Sequence, residues 1–286
     1  MPNLTDIKSG CNTPPYTDRY HGTHNQEDGY VTRAEPRLEA HSSWFTLSDV
    51  LDALRGVGMT PRGAFRPVPD DGVPDVADGQ PARTLVLVGN AGPDMWQAFS
   101  ASCDPDHELL DEWSCEILDD VGRRYGAATH FPSNRYATTS YDKSPYLPFQ
   151  RWATRAEPVF GSPLGIHIHS EYGLWHGYRG ALAFSQLLKL PKRVGAGNPC
   201  EVCLEQPCLT ACPVDAFSDG NYDVPACVSQ LLTPSGQDCL QRACRARRAC
   251  PNGRDYQYQA AQASFHMRHF FEKHKGDVSG VDHVTP

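Results

Sequence analysis

Residues 198–251 carry Cys200-x2-Cys203-x4-Cys208-x3-Cys212-Pro213 and then Cys227-x11-Cys239-x4-Cys244-x5-Cys250-Pro251. Eight of the chain's 11 cysteines stand in this stretch, in two blocks of four, each closed by Cys-Pro. Four thiolates facing one centre are what a cubane iron–sulfur cluster needs, and Cys-x2-Cys is the tight loop that brings two of them together. The proline after the last ligand turns the chain away. In two-cluster ferredoxins the Cys-Pro thiolate of one block ligates the other block's cluster. The same exchange here predicts one [4Fe-4S] cluster on Cys200, Cys203, Cys208 and Cys250, and a second on Cys212, Cys227, Cys239 and Cys244. Leu204-Glu205-Gln206-Pro207 widens one gap as a loop insertion.

Two other readings of the same thiols stay open: a pair of zinc sites, and a disulfide framework, which a reducing compartment disfavours. Arg242, Arg245, Arg247 and Arg248 sit among the second-block thiolates. Their charge would stabilise a reduced cluster and raise its potential, or they form a basic turn that balances local acids. Cys11, Cys103 and Cys115 have no ligand-like spacing and read as ordinary thiols.

About 200 residues precede the block, enough for a core of their own. With 286 residues, 40% hydrophobic and 21% charged, the chain has a globular composition. A net charge of −8 gives no overall attraction to phosphate backbones, so no nucleic-acid partner is expected. No apolar run approaches the length of a membrane-spanning helix, and the N-terminus lacks the pattern of a signal peptide. The expectation is a cytoplasmic protein that does not engage a membrane.

Residues 1–40 are polar and read as a flexible arm. Residues 41–195 are expected as one domain and 196–286 as a small ferredoxin-like domain. In the first, Thr46 and Ser48 are candidate caps for a helix over 47–55, ended by Gly56 and Gly58. Thr84 to Gly89 is a continuous aliphatic run that fits a strand buried on both faces, with a turn from Gly89 to Gly92. A short helix follows from Asp94. A longer one, opened by Asp104-Pro105-Asp106, places Leu110, Trp113, Ile117, Leu118 and Val121 on one face. Short strands are expected at 129–132, 164–169 and 180–188, and a helical stretch at 149–156. This mixture of strands and helices predicts an α/β (α+β) fold.

Two stretches carry more than a generic pattern. Leu164-Gly165-Ile166-His167-Ile168-His169-Ser170-Glu171-Tyr172-Gly173-Leu174-Trp175 resembles the Ile-Ser-Pro-Glu-Tyr-Gly-x-Trp stretch of epoxyqueuosine reductases, which also lies shortly before a two-cluster block. Cys227, between Asp223-Val224-Pro225-Ala226 and Val228-Ser229-Gln230-Leu231, looks like the fifth cluster cysteine of those enzymes. The spacing from Gln150-Arg151 through Ile168-His169 to Trp175 and Arg179-Gly180 is similar to the MMACHC-type cobalamin-processing chaperones, and reductive dehalogenases combine the same two parts. The resemblance covers roughly residues 84–271.

It implies a nitroreductase-like sandwich that binds a corrinoid, followed by the two-cluster domain. Arg151 and Arg179 match arginines that contact a thiol cosubstrate, and Asp142, in Tyr141-Asp142-Lys143-Ser144-Pro145, looks like a proton donor. Strand alternation puts His167 and His169 on one face, where they line a cofactor cavity or are satisfied by local hydrogen bonds. Trp175 and Tyr178 stack on a cofactor or fill the core. With 36 residues after Cys250, no helical-repeat extension for holding tRNA is expected.

The function so implied is delivery of electrons from two [4Fe-4S] clusters to a bound cobalamin. It would serve cobalamin processing or the reduction of a small molecule, with a protein redox partner; as an enzyme this would be a cobalamin-dependent oxidoreductase. The alternative is a ferredoxin-type electron-transfer protein whose front domain docks a partner. A flavin in place of the corrinoid ranks last, because no glycine-rich dinucleotide loop is present.

Overall fold

The computed structural model describes residues 45–106, 109–132, 146–193, 195–218 and 220–278. Helix α1 (Leu47–Gly56) starts where the sequence places it, at a reciprocal cap in which Thr46 Oγ1 accepts from the Asp49 amide and the Asp49 carboxylate accepts from the Thr46 amide. Strand β1 (Thr60–Phe65) leads to β2 (Thr84–Ala91), all eight residues of which are buried. Helices α2 (Asp94–Ser102) and α3 (Leu110–Tyr125) follow, then β3 (Ala128–His130), α4 (Phe149–Ala156), β4 (Val159–Gly161), β5 (His167–His169) and β6 (His176–Phe184). The result is a mixed helix-and-sheet chain, as expected, with a four-stranded antiparallel sheet in the order β1-β2-β6-β3.

Alternation along β2 divides two cores. Val86 and Val88 face α1, α2 and α3, whose apolar stripe of Leu110, Trp113, Ile117, Leu118 and Val121 is buried there. Leu85 and Leu87 face α4, where Trp152 is fully buried. Burying a side chain of this size contributes roughly 2–3 kcal/mol. The sheet is therefore covered on both sides, which explains why β2 reads as an unbroken apolar run.

Three strand limits differ from expectation. β2 runs on to Ala91, and the turn falls at Gly92, because Gly89 stays in the ladder beside a bulge between Val88 and Gly89. A Cβ at Gly89 would lie 1.9 Å from the Gly177 carbonyl oxygen, so only glycine allows this approach. β6 begins at His176 and ends at Phe184, shifted toward the N-terminus of the 180–188 run. The 164–169 stretch contributes only His167–His169, paired with β4 in a separate two-stranded ribbon.

The cysteine block folds from α5 (Pro207–Thr210), the ribbon β7 (Phe217–Ser218) and β8 (Asn221–Tyr222), α6 (Val224–Leu231), α7 (Gln237–Arg242) and α8 (Arg245–Ala249). It packs directly on the preceding segment: Cys208, Ala246 and Cys250 share a buried cluster with Leu164, Ile168 and Leu174. Asn252 Nδ2 donates to the His169 carbonyl at 2.9 Å. Helix α9 (Ala260–His274) then returns to the sheet, where Phe265 stacks against Trp96 with ring centroids 5.1 Å apart.

Candidate metal centres

The thiols of Cys200, Cys203, Cys208 and Cys250 come together at a turn and two helix ends. The Cys200 amide donates to Asn198 Oδ1 at 3.0 Å and the Cys203 amide to the Cys200 carbonyl at 3.3 Å, closing the Cys-x2-Cys loop. Cys208 lies in α5, and Cys250 caps α8. Burial pushes the Cys200 thiol up, and Cys250, Cys208 and Cys203 push it further. Cys208 is raised by burial and then by Cys250 and Cys203. Cys250, raised first by burial, has Cys203 and Arg254 as its electrostatic neighbours.

The other four form a second set. Cys212, Cys227, Cys239 and Cys244 line one cavity of about 280 Å³, whose walls include the apolar side chains of Leu164, Phe217 and Phe270. Cys227 sits in α6, whose start is capped by Asp223 accepting from the Ala226 amide at 2.9 Å. Burial raises the Cys227 thiol, against a hydrogen bond from Tyr222 that lowers it, and Cys212 and Cys239 raise it again. Cys244 is pushed up to about 11, first by burial. Thiolates crowded in this way repel one another, and a cationic centre among them would relieve that repulsion.

Among the described residues, no group of three or more His, Cys, Asp or Glu side chains converges as a single metal ion requires. One tetrahedral zinc would draw its sulfurs to about 2.3 Å from a point. Four sulfurs around a cavity of this size fit a polynuclear cluster better. Several donors already aim at the sulfurs: the Ala216 amide reaches Cys212 Sγ at 3.4 Å, backbone amides of Arg247 and Ala246 reach Cys244, and that of Asn252 reaches Cys250.

Three of the four arginines turn to one acid. Arg245 Nε meets Asp238 Oδ2 at 2.8 Å, Arg248 bonds the same oxygen, and Arg242 Nη1 lies 3.5 Å from Oδ1. They balance a local acid, the blander of the two readings. Arg247 points the other way, donating through Nε and Nη2 to the Leu174 carbonyl at 3.0 and 2.6 Å.

The front-domain candidates are spread among different surroundings. Arg151 is exposed on α4 and donates to the Asp71 carbonyl at 3.2 Å. Arg179 pairs with Asp111 at 2.6 Å beside a cavity of about 150 Å³ shared with Phe131 and Tyr178. Trp175 is buried under Arg247 and against Tyr258. His167 is half-buried, and its carbonyl bonds His176 Nε2 at 3.1 Å. His169 is buried; its Nδ1 accepts from the Glu171 and Tyr172 amides, both at 3.1 Å, and its ring stacks on Tyr172 at 4.2 Å. Asp142 lies outside the described residues, as do residues 1–44. Cys103, expected as an ordinary thiol, is disulfide-bonded.

Residues that spacing did not single out hold this region together. Arg62, fully buried, makes a two-point ion pair with Glu157, Nη2 to Oε1 at 2.6 Å and Nε to Oε2 at 3.1 Å. Tyr178 donates to Glu157 Oε1 at 2.6 Å, and His176 Nδ1 lies 3.1 Å from Arg62 Nη2. Burial raises the Glu157 carboxyl against the pull of Arg62 and the Tyr178 bond. His169 Nε2 stands 3.7 Å from Glu157 Oε2. The two residues are far apart in sequence, so no motif signals them.

No protein family and no curated protein matches the chain. Two solved structures are similar to it. One is epoxyqueuosine reductase from Streptococcus thermophilus, at 13% identity and a TM-score of 0.42 over 74% of this chain and 67% of that one. The other is an epoxyqueuosine reductase with an epoxyqueuosine-modified tRNA-Tyr stem loop, at 15% identity and a TM-score of 0.42 over 76% of this chain and 68% of that one. No helix among the described residues is long and apolar enough to cross a membrane. The expectation that excluded a nucleic-acid partner is corrected: the second structure holds a tRNA stem loop. Net charge sums over the whole surface and does not rule out a local basic face.

Proposed function

We propose that this chain is an iron–sulfur redox protein whose two [4Fe-4S] clusters pass electrons to a corrinoid held by the front domain. The observation that carries the reading is the division of eight thiols into two sets of four, one set lining a single shared cavity. Cys200, Cys203, Cys208 and Cys250 would hold one cluster, and Cys212, Cys227, Cys239 and Cys244 the other. Bound there, the clusters supply one-electron transfer. The chain's own groups set the conditions. The Tyr222 hydroxyl and the backbone amides aimed at the sulfurs spread thiolate charge and favour the reduced state. Leu164, Phe217 and Phe270 give the second set a largely apolar wall, which lowers the local dielectric.

The corrinoid part is supported by the resemblance of residues 164–180 and by the direct packing of Cys208 and Cys250 on Ile168 and Leu174. Among the described residues, Arg179 pairs with Asp111, Trp175 lies under Arg247 and His169 accepts from two backbone amides, so each is engaged within the chain. That observation favours a second reading, an electron-transfer protein whose front domain docks a partner. Anaerobic purification with metal analysis and a cobalamin titration separates the readings. The first expects about eight iron and eight sulfide per chain and a cobalamin spectrum that changes on reduction. Iron without corrinoid binding leaves the second reading, and zinc without iron overturns both. Substrate assays take a small-molecule arm and a tRNA arm.

A further inference from the structure

We propose that the loop carrying Cys200 and Cys203 is the docking surface for a protein electron donor that presents a basic rim around an apolar centre. The inference rests on the two-cluster reading and names where electrons enter. Val202 is 81% exposed and Leu204 94% exposed, and they stand on either side of Cys203. Apolar side chains held in water add nothing to the core, and a pair of them beside a cluster ligand marks a contact surface. Gln206, in a left-handed conformation at φ 38°, and Pro207, at the start of α5, bring the chain back from this loop to Cys208.

Charge identifies the partner. Glu201 and Glu205 are exposed immediately outside the two apolar residues. From residue 194 to residue 241 the sequence has six Asp or Glu and no Lys or Arg. An apolar spot bordered by acids steers a basic-rimmed partner and repels an acidic one. In each encounter the donor's reduced centre loses one electron and the cluster gains it; no bond forms or breaks.

The test uses the full chain, purified anaerobically with iron and sulfide counted, and cytochrome c as a basic-rimmed one-electron probe. Binding is titrated at low ionic strength, and electron transfer from the dithionite-reduced chain to cytochrome c is followed by stopped flow. Glu201→Lys with Glu205→Lys should weaken binding and slow transfer about tenfold. Leu204→Ser should slow transfer several-fold while leaving its salt dependence in place. Asp75→Lys with Asp78→Lys, the same charge change on the loop between β1 and β2, should stay within about twofold of the parent. Equal losses in the two double variants would overturn the proposal. So would an equal slowing toward benzoquinone, a small uncharged oxidant that needs no docking. Missing iron, or no bleaching by dithionite, would instead sink the two-cluster reading, and the titration would still report on the loop.

Discussion

The guanidinium of Arg247 stands 4.6 Å from the ring centroid of Trp175 and 4.6 Å from that of Tyr258. Arg247 lies between Cys244 and Cys250, which belong to different thiol sets, and it bonds the Leu174 carbonyl twice. One side chain thus ties both sets to the segment that leads into β6. Arg247→Ala should lower stability by about 2–3 kcal/mol, from two cation–π contacts and two charged hydrogen bonds. Arg247→Lys keeps the charge but not the planar fork, and should recover less than half of that loss. Thermal unfolding, with iron content followed alongside, measures both. A lysine variant as stable as the parent would mean that charge alone matters here.

The Arg62–Glu157 pair is buried on both sides, at 0% and 8% side-chain exposure. Removing either partner alone leaves an uncompensated buried charge. Glu157→Leu and Arg62→Met should each cost about 3–5 kcal/mol. The double variant Arg62→Met with Glu157→Leu should cost less than the sum of the two singles. Denaturant midpoints of the four proteins close the cycle, and strict additivity would show that the two residues act independently.

The difference between these two interactions and the thiol sets explains what could be read from sequence. Ligand spacing is local, so Cys200-x2-Cys203 announces itself, as does β2 through its unbroken apolar run and α3 through its recurring face. Arg62 and Glu157 come from β1 and the end of α4, and each alone looks like an ordinary surface charge. His167 and His169 show the opposite failure. Alternation puts them on one face, but the strand is three residues long, and the turn after it brings the Glu171 and Tyr172 amides onto His169. Resemblance alone singles out Arg151, Arg179 and Trp175 as ligand contacts, and among the described residues they meet partners within the chain.

Ala243, just before Cys244, is held at φ 70°, ψ 166°, a region that suits glycine almost alone. It is buried among Trp175 and Ala263. The conformation costs about 1–3 kcal/mol in an alanine, which exceeds the burial of one methyl at about 0.8 kcal/mol. Ala243→Gly should therefore raise the thermal midpoint modestly, and Ala243→Val should lower it and impair cluster loading. A glycine variant less stable than the parent would show that methyl packing outweighs strain.

Two buried histidines, His169 and His176, should make the fold lose stability in acid. Burial first, then Arg62, holds His169 down to about 4; burial, Arg62, His169 and Arg247 hold His176 down to about 2. The unfolded chain takes up protons at these positions near pH 6.5 and the folded chain does not. Their contribution is thus present above pH 6.5 and is lost as pH falls toward the folded values. Glu157, raised by burial, works in the opposite sense, losing its contribution as pH rises through its folded value. His176→Asn should flatten the stability slope between pH 6.5 and 5 by up to about 1.4 kcal/mol per pH unit, one proton's worth. Denaturation midpoints across that range test this, and an unchanged slope would place the acid sensitivity elsewhere.

The pairing of thiols across the two blocks makes the sharpest test of the site. Cys250 closes the second block in sequence but neighbours Cys200, Cys203 and Cys208 in space, while Cys212 closes the first block and lines the cavity of Cys227, Cys239 and Cys244. Cys250→Ser should therefore perturb the same cluster as Cys203→Ser, and Cys212→Ser the same cluster as Cys239→Ser. Each variant should change the electron paramagnetic resonance of one reduced cluster and lower iron from about eight toward four per chain. The double variant Cys250→Ser with Cys203→Ser should leave the second signal intact, whereas Cys250→Ser with Cys239→Ser should damage both. If instead the doubles within a sequence block, Cys203→Ser with Cys212→Ser, spare one cluster, the exchange between blocks is wrong and each block holds its own.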